Sequence, residues 1–249
     1  GPKGIGWDGQ VAELFAFNNT LNVTQRTLVQ NYLSAKYDIE LTSGDQYAGD
    51  DGGKGDYDRG VFGVGQETAS DFHTAAETDG LRFEAVAGGL STGDYLLAGY
   101  AELNNAANRT DVGGVTGLDA RMERDWYWDT NGSSPTVDVT FDLSKSGIES
   151  VLNPDASGYV LLFRSGQTGN WTSVSSSASV ANGDEITFSG IDAGSQGTNQ
   201  GTGYYTLGTT DPNASPLSGI ALIVTGASGN EGDASSGTLG GDAGWRLIG

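Results

Sequence analysis

The chain has a single histidine, His73, within Asp71-Phe72-His73-Thr74, and no cysteine. A Ser-His-Asp relay would need that imidazole beside a serine raised on a strained turn. We read His73 as a surface-loop histidine with no nucleophile elbow to serve. The 32 acidic residues could supply the paired carboxylates of a glycosidase, but with so many, spacing singles out no pair. The residues therefore point away from an enzyme.

Two groupings are sharper. Asp45, Asp50, Asp51, Asp56 and Asp58 crowd a glycine-rich stretch at 43–60. A hard cation wants several carboxylate and carbonyl oxygens, and glycines let carbonyls turn inward, so calcium is the candidate ligand. No glutamate stands at the twelfth place, so this is not an EF-hand. The plain alternative is an acidic loop that binds nothing. The second grouping is Trp126-Tyr127-Trp128, read as part of a strand. Alternation puts Trp126 and Trp128 on one face and Tyr127 on the other. Exposed, the pair would form a platform for stacking sugars; buried, it would fill a core.

Charge and composition narrow the classes further. Twelve basic residues stand against 32 acidic ones, for a net charge of -20. Such a surface repels nucleic acid and anionic lipid. No apolar run approaches the roughly 20 residues that span a bilayer. The absence of cysteine rules out a disulfide framework and thiolate metal sites. With 41 glycines, one methionine and long Ser/Thr/Asn stretches, the profile fits an exported β-protein, extracellular or at the cell surface. No cofactor is required, with calcium the only one suggested. Asn18, Asn22, Asn108, Asn131, Asn170 and Asn213 each open a glycosylation sequon, the last weakened by Pro216.

The elements that must position these residues are mostly short strands. Residues 11–17 (Val-Ala-Glu-Leu-Phe-Ala-Phe) predict a largely buried strand. Asn22 reads as a helix N-cap with Gln25 as its capping-box partner. Leu28, Val29, Tyr32, Leu33 and Ala35 then form an apolar stripe on a helix ending near Tyr37-Asp38. Further strands are predicted at 60–66, 81–87, 94–101, 122–130, 135–143, 159–164, 171–175, 185–189 and 203–208. Turn residues separate them, which implies a β-sandwich. Val137, Val139 and Phe141 alternate with Asp138, Thr140 and Asp142, as in a half-exposed antiparallel strand. Residues 209–219 read as a linker, followed by an isolated apolar run at 220–225 (Ile-Ala-Leu-Ile-Val-Thr).

The stretch from Gly9-Gln10-Val11-Ala12-Glu13-Leu14-Phe15 to Tyr32-Leu33-Ser34-Ala35-Lys36-Tyr37 resembles the tail of a laminin-G/concanavalin-like jelly roll. Such tails recur in large surface proteins of Bacteroidetes. Gly60-Val61-Phe62-Gly63, Gly93-Asp94-Tyr95-Leu96-Leu97, Arg121-Met122-Glu123-Arg124-Asp125-Trp126 and Gly203-Tyr204-Tyr205-Thr206-Leu207 resemble the β-domain that follows it there. The resemblance covers about 210 residues and carries no catalytic signature. It implies export, often by the type IX route, and a role in attachment or structure. Most of the jelly roll, with any sugar-binding loops, has no counterpart here.

The expectation is an all-β protein with one or two antiparallel sandwiches, immunoglobulin-like or jelly-roll, and one short N-terminal helix. The segments would be 1–39 (strand and helix), 40–145 (a sandwich), 146–208 (a smaller β unit) and 209–249 (linker and strand). Val11, Leu14, Phe15 and Phe17, with Ile220, Leu222, Ile223 and Val224, would be assembly strands completing a neighbour's sheet. Repeated head to tail, that contact gives a homopolymer. The alternatives are strands that fold back on their own chain, or an adhesin that binds surface glycans.

Overall fold

The computed structural model describes residues 9–148, 156–182, 184–194 and 200–211. Its first regular element is helix α1, Val23–Tyr37. Asn22 caps it: its side chain accepts from Gln25 N, and the Gln25 side chain accepts from Asn22 N. Asp38 ends the helix in the left-handed region at φ 52°, a conformation that Asp tolerates better than most residues.

Fourteen antiparallel strands follow among the described residues: β1 (Arg59–Thr68), β2 (Asp71–His73), β3 (Ala75–Thr78), β4 (Leu81–Ala85), β5 (Asp94–Tyr100), β6 (Ala107–Asn108), β7 (Ala120–Met122), β8 (Trp126–Asn131), β9 (Thr136–Asp142), β10 (Tyr159–Arg164), β11 (Thr172–Ser175), β12 (Ala178–Ala181), β13 (Glu185–Asp192) and β14 (Gly203–Thr209). The large sheet runs β11-β10-β14-β8-β5-β1-β2, with β7 beside β14 and β6 beside β7. The small sheet runs β12-β13-β9-β4-β3. The chain is thus mostly β, with two antiparallel sheets and one short N-terminal helix.

The division at 145/146 does not hold. β10, β11 and β14 share a sheet with β1, β5 and β8, while β13 pairs with β9. The later strands have no core of their own. Leu161, Phe163, Ile186 and Phe188 bury into the same cluster as Phe83, Trp128 and Phe141. Burying them all against one another makes a single sandwich.

At both sides of the sandwich the chain crosses from one sheet to the other. Only Thr74 separates β2 from β3, and only Ser176 and Ser177 separate β11 from β12. These four edge strands are three or four residues long. Edges this short leave few unpaired backbone groups for another chain. β1 starts and β14 finishes at the same end of the large sheet, because Arg59 pairs with Tyr100, Tyr100 with Trp126, and Trp126 with Tyr205.

The outer face of the large sheet is covered as well. β5 and β14 are buried along their whole length, so neither shows the in-out alternation of a half-exposed strand. α1 covers part of that face through Leu28 and Ala35; Tyr47 and Tyr57 of the 38–58 segment, and Leu118 and Trp171, cover the rest.

Residues 11–17 form no strand. Val11 and Leu14 are exposed, as are Phe15 and Phe17. β1, on the floor beside this segment, is already flanked by β2 and β5. The segment is instead held to α1 by Glu13, which meets Lys36 Nζ at 3.0 Å and accepts from the Tyr37 hydroxyl at 3.1 Å. The other assembly run, Ile220, Leu222, Ile223 and Val224, lies outside the described residues.

Candidate functional site

Trp126 and Trp128 point inward from β8 and are fully buried. Trp128 stacks on Tyr205 with centroids 3.7 Å apart and meets Phe83 edge-on at 4.9 Å. Trp126 meets Phe141 at 5.6 Å. The sugar platform is therefore corrected to core. Sheet-on-sheet packing fills the interior with the large inward side chains of both sheets.

The five aspartates do not converge. Among the described residues, no three His, Cys, Asp or Glu side chains are placed to hold a metal ion. Asp45, Asp51 and Asp56 are exposed, and Asp50 and Asp58 half-buried. The loop is shaped by its tyrosines. The Tyr47 hydroxyl donates to Tyr57 O at 2.6 Å, and Tyr47 and Tyr57 both pack on Tyr127.

Asp50 is nonetheless perturbed. Burial, opposed by a backbone hydrogen bond and reinforced by the charges of Asp45 and Asp51, pushes its carboxyl up to about 6. Between the unfolded value near 4 and 6, the folded chain binds more protons than the unfolded one. Stability at this position therefore rises as pH falls through that window. Asp50→Asn removes the penalised charge. It is expected to stabilise the protein at pH 7 by about 1 kcal/mol, well below the full shift because solvent screens the half-exposed group. Urea midpoints should show that gain disappearing near pH 4.

The sequons divide by environment. Asn18 and Asn170 are exposed and open to modification. Asn22 Nδ2 donates to Phe72 O and Asn131 Nδ2 to Gln46 O, so a glycan on either nitrogen would compete with these bonds. Asn108 Oδ1 accepts from the N–H groups of Thr110 and Asp111. Asn213 lies outside the described residues.

A Gly-x-Ser-x-Gly pattern, missed in the sequence, stands at Gly89-Leu90-Ser91-Thr92-Gly93. A nucleophile elbow needs a strand before it and a helix after it. Here the pattern joins β4 to β5, and Ser91 and Asp94 close a turn through Ser91 N to Asp94 Oδ2 at 2.8 Å and Asp94 N to Ser91 O at 3.0 Å. It is a β-connection, not an elbow.

The densest charged constellation lies on the outer face of the large sheet. Arg164 bridges Asp125 and Asp111, both at 2.8 Å, and Arg121 reaches Asp111 at 2.7 Å. The Tyr57 hydroxyl donates to Asp125 at 2.5 Å. The Arg164 guanidinium lies 4.0 Å from the Trp171 ring centre. Burial pushes the Asp111 carboxyl up, but the Arg121 and Arg164 guanidiniums outweigh it and hold it below the ordinary carboxylate range. Each carboxylate is already partnered, so this network ties the covering loops to β10 and leaves no free base or nucleophile.

A groove of about 450 Å³ opens between α1, the 15–21 segment and the corner where β2 runs into β3. Its floor includes Val61, Phe62 and Ala76; its walls include Phe15, Phe17, Val29 and Tyr32. Phe15 stacks on Phe17 and meets Tyr32 edge-on, both at 6.0 Å. The groove exists because α1 is rotated from the orientation its apolar stripe predicts. The helix buries Thr24, Leu28, Asn31, Ser34 and Ala35, while Val29 and Tyr32 stay half-exposed. Polar side chains can face inward because each is bonded. Thr24 Oγ1 donates to Asp71 O and accepts from Glu67 N; Asn31 donates to Gly44 O and accepts from Gln46 N; Ser34 Oγ donates to Ile39 O. Asp71 completes the anchor, accepting from Val23 N and Thr24 N at 3.0 Å each.

His73 lines this groove rather than a solvated loop, and burial pushes its imidazole below the ordinary value. An uncharged ring among apolar side chains suits an apolar occupant. No helix among the described residues is long and apolar enough to cross a membrane. Compared with known protein families, curated proteins and solved structures, the chain matches none.

Proposed function

We propose that this chain is a non-enzymatic structural module of an exported surface protein, and that it joins other copies of itself through the helix-side groove. One observation carries the reading: an apolar groove rimmed by exposed Phe15 and Phe17 on a chain of net charge -20. Exposed aromatic surface of this kind marks an association site on a soluble domain. The short sheet edges favour side-chain burial in the groove over long strand addition at an edge. The resemblance to Bacteroidetes surface proteins and the cysteine-free, glycine-rich composition support export. The adhesin alternative loses its platform with the burial of Trp126 and Trp128.

Light scattering on a size-exclusion column tests this. The full chain is expected to gain mass with concentration and to form multimers visible in negative stain. The double variant Phe15→Ser/Phe17→Ser should keep the mass of one subunit. Both residues lie in an irregular exposed segment, so the fold should survive the change. A wild-type chain that stays monomeric at high concentration would overturn the reading.

A further inference from the structure

We infer that the groove is filled by this chain's own run 220–225. The inference rests on the assembly reading only in taking the groove as the receiving surface; it names the segment received. Among residues outside the described set, only 220–224 carry five consecutive apolar side chains, and no charged residue occurs from 212 to 230. An uncharged apolar run can enter an apolar groove without the like-charge cost that most of this acidic chain would meet.

The chain's geometry permits it. Phe62 on the groove floor lies in one cross-sheet row with Ala98, Trp128 and Gly203. Three strand spacings separate β1 from β14, and Thr209 lies six residues beyond that row, so Thr209 is about 25 Å from Phe62. The eleven residues from Thr209 to Ile220 span up to about 36 Å when extended. The run can therefore reach the groove of its own subunit, and equally that of a copy alongside. Alternate side chains of an extended segment point the same way, so one face of the run can insert between α1 and β1 while the other faces solvent.

The chain has no cysteine, which makes disulfide trapping in the full-length protein clean. Ala76→Cys places a thiol in the groove, and Leu222→Cys, Ile223→Cys and Val224→Cys place one in turn on each face of the run. Val29→Cys is a second acceptor in case the first disturbs β3. Ser179→Cys on β12, at the opposite edge, is the control. Groove pairs should oxidise under conditions that leave the control pair reduced. A bond within one chain, in a protein that stays monomeric, supports the inference and overturns the assembly reading. A ladder of bonds between chains supports both. Multimers with no bond at either acceptor leave assembly standing and overturn this inference, as does a control that oxidises as readily as the groove pairs.

Discussion

Trp128→Ala is expected to cost about 3–5 kcal/mol of stability, enough to unfold much of the population at 37 °C. The residue is fully buried, stacked on Tyr205 and in edge contact with Phe83. Truncation would open a cavity at the joint between the sheets, bordered by β8, β14 and β4, where rigid aromatic rings cannot collapse inward. Its indole N–H has no partner among the described residues, so Trp128→Phe loses no hydrogen bond there and should cost much less. Urea unfolding followed by far-UV circular dichroism separates the two variants. A folded, fully stable Trp128→Ala protein would contradict the core assignment.

Arg164→Ala should be comparably damaging, at about 3–5 kcal/mol. Its guanidinium joins Asp125 to Asp111 and packs against Trp171. Removing it leaves the Asp125 carboxylate buried with only the Tyr57 hydroxyl on it. Arg164→Ala with Asp125→Ala together should recover part of the loss, because the stranded charge goes with its partner. The Asp111 carboxyl, held low by the two arginines, contributes stability above the ordinary carboxylate range that is lost as pH falls through its depressed value. A double-mutant cycle in urea at pH 7, repeated at pH 3, measures both. Additive single and double effects would show that the bridge is not coupled.

The sandwich and the helix were legible because their signals are local. Asn22 and Gln25 stand at capping-box spacing, and both bonds form. Val137, Val139 and Phe141 alternate, and all three are buried. β2, β3 and β12 were missed because runs of three or four residues are too short to carry a periodicity. The 122–130 strand was drawn too long: β7 and β8 are separate, and the Arg121, Arg124 and Asp125 side chains between their inward residues serve the outer network and nearby carbonyls. Residues 11–17 look like a strand by composition alone. Pairing depends on a vacant neighbour, and composition does not report that. The groove was illegible for a related reason. The apolar stripe on α1 was visible, but Thr24 and Asn31 claim the sheet-facing side through hydrogen bonds to distant residues. That rotation turns Val29 and Tyr32 outward.

Because β1 and β14 join the large sheet at the same end, tension applied across them would draw both strands from one pole. Hydrogen bonds loaded this way break one after another, like a peeled seam, rather than all together as in lateral sliding.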